Sequence, residues 1–312
     1  MLAGKAVVIT GAGHGIGAAC AKGVARQGAA VVVNDIEPDA AEATVAAIKA
    51  EGGTATACVA DVSDWDQAGE IIASCIRSFG KIDGLVNNAA LYHVGRVDEL
   101  DPKVARALVE VNVLGPMNCT GHAVIPMLAQ GSGSIISVVS GAHMGMPGMG
   151  IYGATKGAVA SMIYTWAMEL AGSGVRMNGL SPFGATDILA NSNRQLKLRH
   201  GVEFAKERLD MPNVVTQPPE DNSPVVEFLL SDAAAGINGQ LVRIDKGELQ
   251  LYTHPALLLP SIRRDSWDAQ QVAQAFHDDF QHRQVACGVM GMEALPVELN
   301  SGFWQRAAVP GD

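Results

Sequence analysis

Residues 5–17 constrain the fold more than any other stretch. They read Lys-Ala-Val-Val-Ile-Thr-Gly-Ala-Gly-His-Gly-Ile-Gly. The first six are a short apolar run suited to a strand buried in a parallel sheet. Helix-compatible sequence follows, from Ala18 to about Gln27. A strand that enters a glycine turn and then a helix forms a site for the phosphates of a dinucleotide. Glycine permits the tight turn, lets the backbone approach the pyrophosphate and lets helix pack on strand. The helix start adds free N–H groups and a positive dipole end. Gly11, Gly15 and Gly17 give the spacing G-x-x-x-G-x-G, with His14 and Ile16 between them as further cofactor-binding candidates. The alternative spacing G-x-G-x-x-G fails, because position 16 is Ile and position 18 is Ala.

A second apolar run, Ala30-Val-Val-Val-Asn-Asp35, ends in an acid 18 residues beyond Gly17. A carboxylate there accepts hydrogen bonds from the adenosine ribose hydroxyls and repels a 2′-phosphate. Neither His14 nor Ile36 is a Lys or Arg that would offset it. The pattern favours NAD over NADP. The other reading of Asp35, a cap for the following segment, stays open.

Apolar runs beginning near residues 5, 29, 55, 82, 133, 175 and 240 alternate with helical stretches. That alternation implies repeated strand–helix–strand units. The expected class is α/β: a doubly wound Rossmann fold whose seven-stranded, mainly parallel sheet carries helices on both faces. Residues 1–250 would form the catalytic domain. Residues 251–312 would be an extension packed on the same domain or on a neighbouring subunit.

Tyr152 and Lys156 stand four residues apart, one helical turn, so both side chains emerge on one face. A phenol is a poor base at neutral pH, its free pKa being near ~10. An adjacent ammonium stabilises the phenolate and turns the pair into a proton-transfer device. A Tyr-x-x-x-Lys pair also occurs on exposed helix faces. The glycine turn upstream gives this one its weight.

The landmarks appear in order: Thr10 to Gly17, Asp61-Val62, Asn87-Asn-Ala-Ala90, Asn112, Ser140, and then Tyr152 and Lys156. In that order, over residues 3–247, the chain resembles the short-chain dehydrogenase/reductase family. The resemblance implies a catalytic tetrad of Asn112, Ser140, Tyr152 and Lys156. Ser140 would hydrogen-bond the substrate oxygen and Tyr152 would exchange a proton with it. Lys156 would lower the Tyr152 pKa and bind the nicotinamide ribose, and Asn112 would hold a relay water. Asp61 and Val62 would contact adenine, with Asn87, Asn88 and Ala89 along the cofactor cleft. Pro182 and Thr186 would contact the carboxamide. The implied activity is that of an NAD(P)-dependent alcohol dehydrogenase or ketoreductase. Two departures stand out. Ala90 replaces a commoner Gly, and Ser181-Pro-Phe-Gly-Ala-Thr186 shifts the usual Pro-Gly register. Ser137 is a rival to Ser140, but only Ser140 has the family's distance to Tyr152.

Ligands in such sheets lie beyond the carboxyl ends of the strands. Residues 91–94, 141–149 and 187–219 would therefore surround the substrate. Met144, Met146 and Met149 are adaptable apolar side chains, suited to a hydrophobic substrate or to packing on neighbouring helices. His93 and His143 are candidate substrate contacts or loop supports. Arg194, Lys197, Arg199, Lys206 and Arg208 form a locally basic stretch. It would attract an anionic substrate end or serve as a solvated helix face.

A net charge of −10 offers no basic surface for a phosphate backbone, so nucleic acid is not expected as a partner. No metal site is expected either, since His277 and His282 are five residues apart and no H-E-x-x-H motif occurs. The first strand begins almost at once, leaving no room for a signal peptide, and no apolar stretch reads as a membrane span. Five scattered cysteines without a C-x-x-C pair suggest reduced thiols in the cytoplasm. Residues 158–168 are apolar nearly all round, which implies burial on more than one side. With the resemblance, that points to a homodimer or homotetramer. Beyond Gly247 the chain runs 65 residues further. Within them, residues 266–280 read as an amphipathic helix capped by Ser266.

Overall fold

The computed structural model describes residues 1–184, 188, 191, 192, 194, 197, 217–245, 247–255, 257 and 261–280. Among these, eight strands form one sheet: β1 Ala6–Ile9, β2 Ala30–Asp35, β3 Thr54–Val59, β4 Gly84–Asn87, β5 Gly133–Val138, β6 Val175–Ser181, β7 Leu241–Asp245 and β8 Glu248–Leu251. The helices are α1 Gly15–Arg26, α2 Pro38–Ala50, α3 Trp65–Phe79, α4 Pro102–Val109, α5 Gly115–Gln130, α6 Gly150–Glu169, α7 Ser223–Leu230 and α8 Ala269–Asp278.

Strand order is β3-β2-β1-β4-β5-β6-β7-β8. The first seven strands pair in parallel, and β8 returns antiparallel on β7. The central strands are buried on both faces, which explains their unbroken apolar runs. Successive residues alternate between two cores. Val7, Ile9, Val31 and Val33 pack with α1, α2 and α7, whereas Val8 and Val32 pack with α3, α4, α5 and α6.

Chain order reverses between β1 and β4. Crossovers leave these neighbours in opposite directions, so a crevice opens above their carboxyl ends. That crevice holds the site described below.

The expected sheet of seven strands is corrected to eight. Glu248-Leu-Gln-Leu251 is exposed throughout, so no buried face marks it in the sequence. Gly247, with φ 82°, lies in the turn from which β8 starts back along β7. β8 runs across residue 250, so the start of the C-terminal segment continues the sheet. The tail helix is also shorter than expected. Asp268, not Ser266, caps it, accepting from Gln271 N at 2.8 Å while Gln271 Oε1 accepts from Asp268 N at 3.1 Å. A carboxylate with a reciprocal partner outcompetes a lone hydroxyl two residues earlier.

Among the described residues, no helix is long and apolar enough to cross a membrane. Cys20, Cys58, Cys75 and Cys119 are free and buried. Cys287 lies outside the described residues.

The glycine turn is packed to the limit. A Cβ on Gly17 would lie 2.2 Å from Gly11 O and 2.4 Å from Asn88 Nδ2. Gly17→Ala is therefore expected to lower stability by about 1 to 3 kcal/mol. Gly157→Ala, at a helical position with nothing within 4 Å, is expected to hold or raise it. Thermal unfolding followed by circular dichroism checks both, and an unshifted midpoint for Gly17→Ala would refute the close contact.

Candidate active site

The phosphate end is built from β1, α1 and the end of β4. Gly11 and Gly15 have φ 60° and 52°, in the left-handed region that glycine enters without penalty. A Cβ on Gly11 would stand 2.7 Å from Ala89 Cα. Thr10 Oγ1 accepts from Asn88 N at 3.0 Å and from Ala89 N at 3.1 Å. Asn88 Nδ2 donates to Thr10 O and Gly11 O at 2.9 and 3.0 Å. The turn is thus tied to the neighbouring strand. His14, the residue before α1, makes no side-chain capping bond, and no acid occupies the first turn. Gly15, Ile16 and Gly17 line the cleft with their helix start uncapped.

At the next station, Asp35 plays two structural parts. Oδ2 accepts from Gly13 N at 2.9 Å, and Oδ1 accepts from Glu37 N at 3.1 Å. It still lines the cleft, with lone pairs left for a ribose. Asp61 and Val62 line the same end. Arg194, from the expected basic stretch, reaches across to Glu37, at 2.5 and 2.6 Å from its two oxygens. His14 Nε2 lies 3.6 Å from Glu37 Oε2. Arg199, Lys206 and Arg208 lie outside the described residues.

The catalytic end gathers three of the four tetrad residues on the cleft wall: Ser140, Tyr152 and Lys156. Ser140 follows β5 in extended conformation and accepts from Ala142 N at 3.2 Å. It also hydrogen-bonds the Tyr152 hydroxyl. Lys156 is buried, its Nζ donating to Val138 O at 2.8 Å and standing 5.8 Å from the Tyr152 ring centre. Burial pushes the Tyr152 phenol above its ordinary value; the Ser140 bond opposes that, and nearby Tyr92 adds to it. Burial brings the Lys156 ammonium down to about 8. The influence that lowers the phenol therefore comes from Ser140, and the expected lowering by Lys156 is not a resolved part of it.

Asn112 sits at the centre of a π-helical turn, Glu110–Leu114, that joins α4 to α5. Such widened turns recur at functional sites. Its amide donates to Leu91 O at 2.8 Å and Thr155 Oγ1 at 3.1 Å, and accepts from Leu91 N at 2.7 Å. Both N–H protons are committed, and the residue is fully buried outside the cleft lining. Asn112 thus pins the loop after β4 to α6, behind the wall.

Met149 and Pro182 line the cleft, as does Met146. His93 and Met144 do not. His93 is buried, and Met144 packs against the core. His143 stands behind the wall, its Nδ1 2.5 Å from Ser140 O and its ring edge-on to Tyr252 at 5.2 Å. Asn87 lies below the cleft, donating to Thr120 Oγ1 and Ser137 Oγ. Ser137, the rival serine, is therefore a core residue. Thr186 lies outside the described residues. Sequence reasoning missed Tyr252 and Arg243, which line the cleft from the last hairpin. It named Tyr92 only as part of a loop, yet its ring meets Tyr152 edge-on at 5.0 Å.

The cleft measures about 1060 Å³ and runs from the glycine turn past Asp35 and Asp61 to Tyr152. Bare N–H groups for phosphates, a carboxylate for ribose and a phenol at the far end suit a nicotinamide dinucleotide.

Comparison with known proteins agrees. A family described as short chain dehydrogenase matches residues 5–197. An uncharacterized oxidoreductase of Methylorubrum extorquens is 37% identical over 255 residues, covering 79% of this chain and 98% of its own. The 3-oxoacyl-[acyl-carrier-protein] reductase FabG of Thermotoga maritima is 34% identical over 247 residues, covering 79% and 98%. A solved short chain dehydrogenase from Mycobacterium avium superposes with a TM-score of 0.79 at 29% identity, covering 93% of this chain and 99% of its own. On the matched length and these identities, the chain belongs to the short-chain dehydrogenase/reductase family of NAD(P)-dependent oxidoreductases.

Proposed function

We propose that this chain interconverts a secondary alcohol and a ketone on a mid-sized, mainly apolar substrate, with NAD as cofactor and Tyr152 as general acid and base. One observation carries the reading: the Tyr152 hydroxyl, bonded to Ser140, lies in the cleft wall with Lys156 one helical turn away. Two O–H groups there converge on one substrate oxygen. Bound in this cleft, the nicotinamide ring supplies or accepts the hydride.

For reduction, Ser140 holds the carbonyl oxygen and Tyr152 gives it a proton as the carbon gains hydride. Burial keeps the phenol protonated at neutral pH, so Tyr152 rests in the state this direction needs. Lys156, while charged, offsets the phenolate that forms. For oxidation, the phenolate must form first and take the hydroxyl proton. Met146, Met149 and the rings of Tyr92 and Tyr252 supply apolar surface for the substrate body.

Asp35 and Glu37 place two carboxylates at the ribose end, and Arg194 is paired with Glu37. A 2′-phosphate would meet net negative charge, which supports NAD. The rival reading, an NADPH-dependent carbonyl reductase, draws on the protonated resting phenol and on Arg194 itself.

Exposed apolar side chains lie along α4, α5 and α6, among them Val109, Met117, Ile125 and Met168. We read this face as where a second copy packs, giving a homodimer or homotetramer. Four buried free thiols support a cytoplasmic setting.

Tyr152→Phe is expected to lower turnover of ketones and secondary alcohols by roughly 10²- to 10⁴-fold. NADH binding, followed by its fluorescence, should persist. Turnover retained by the variant would remove Tyr152 from the acid–base role.

Because Lys156 loses its proton near 8, ketone reduction should fall as pH rises through about 8. Lys156→Arg keeps its charge and should move that fall to higher pH. A profile unmoved by this change would show that another group titrates.

Initial rates at matched concentrations should favour NADH over NADPH by at least roughly fivefold, a like-charge contact costing about 1 kcal/mol or more. Equal or reversed rates would decide for the NADPH reading.

A further inference from the structure

The last hairpin places a polar device in the cleft that the proton-transfer chemistry does not use. Tyr252 follows β8, and its N–H donates to Leu241 O at 3.0 Å, which extends the β7–β8 pairing to the first residue of β7. The ring packs edge-on against His143, itself held to Ser140 O. Its hydroxyl lies 3.1 Å from Ser181 Oγ. Tyr252 and Ser181 both line the cleft, and both are almost fully buried.

Two hydroxyls carry two protons, and a bond between them uses one. Neither oxygen has another hydrogen-bond partner among the described residues. One O–H donor therefore remains on a buried wall that faces the cleft. Buried donors are rarely left unmade, because an orphan of this kind costs free energy. Its natural partner is an acceptor carried by the substrate.

Charge nearby narrows the class. Arg243 reaches the same wall, but Asp245 Oδ2 holds it at 2.5 Å. Asp245 Oδ1 is buried with no partner among the described residues. Among the described residues, Arg243 is the cation on this wall and it is already paired, so a carboxylate gains nothing here. A neutral acceptor, such as an ether, carbonyl or hydroxyl oxygen, does.

We propose that Tyr252 and Ser181 form a donor subsite that selects substrates bearing a second, neutral oxygen away from the reacting carbon. The proposal rests on the secondary-alcohol and ketone reading above and adds to it the polarity of the substrate's far end. A site built to bond such an oxygen discriminates against the analogue that lacks it.

Matched ketones test this. Cyclohexanones with a methoxy group at ring position 2, 3 or 4 are compared with those bearing ethyl at the same position, using NADH. The parent protein should favour at least one methoxy isomer over its ethyl partner in kcat/KM by roughly threefold to tenfold. Tyr252→Phe combined with Ser181→Ala removes both protons and should bring that ratio close to one. Equal ratios in the parent at every position, or a preference that survives in the double variant, would overturn the subsite while leaving the ketone reading intact. Absence of turnover with every ketone, NADH being bound, would instead overturn the ketone reading. Thermal shifts then decide the subsite alone. With NADH present, the methoxy ketone should raise the parent's Tm more than its ethyl partner and the double variant's equally; equal shifts in the parent would refute it.

Discussion

The site depends on one junction, the lacing of the glycine turn to the end of β4. Thr10 Oγ1 accepts two backbone N–H groups from that strand's end, and Asn88 returns two bonds to the turn. These bonds hold β1 and β4 together where their crossovers diverge. With the bond from Gly13 N to Asp35, they fix the left-handed Gly11 and Gly15 and aim the start of α1 into the crevice. The contact is so close that glycine is needed at both Gly11 and Gly17. Sheet order, turn chemistry and helix dipole thus act as one device, in which backbone groups rather than side chains make the anion site.

At the other end of the cleft, burial and charge compete. Desolvation raises the phenol and lowers the ammonium, so each group is pushed toward its neutral form. A strong base is therefore not stored in the cleft. Ser140 is the counterweight, since its hydroxyl bonds the phenol and its backbone position is fixed by the turn it caps. Lys156 reaches Val138 O, at the end of the strand that leads to Ser140. One strand end therefore orients both the Ser140 hydroxyl and the Lys156 ammonium. The positions are pre-set, and the protonation state is left to respond to what binds.

Much of this was legible in the sequence, for physical reasons that also mark where reading stopped. Strands buried on both faces announce themselves as apolar runs, and the edge strand β3, partly exposed, was visible through the strand–helix alternation. β8 has no buried face, and its four residues alternate polar and apolar over too short a span to stand out as a strand. Glycines 11, 15 and 17 were readable because steric demand leaves no other residue type. Asn112 was found by order, but not its work. A π-helical turn widens the backbone and swings the amide onto Leu91, and linear spacing holds no trace of that. Ser137 and Ser140 differ by strand register: the first points into the core beside Asn87, and the second lies beyond the strand end. Of the three loop methionines, only Met146 and Met149 reach the cleft, since a loop imposes no period from which facing can be read.

The late chain shows why substrate walls resist such reading most. Phosphates and hydride impose the same geometry on every dinucleotide site, so their residues recur at fixed spacings. A substrate wall answers only to its own ligand and is assembled from segments far apart in sequence. Tyr92, Met149 and Tyr252 reach one cavity from three different connections, and Ser181 reaches it from the last residue of β6. Tyr252 arrives there because an exposed edge strand turns back, and the edge strand exists because Gly247 allows the reversal. Each step is local and ordinary, and the result is a buried hydroxyl pair with one proton uncommitted. The proposed substrate wall is therefore carried mostly by elements that the sheet's periodicity does not govern.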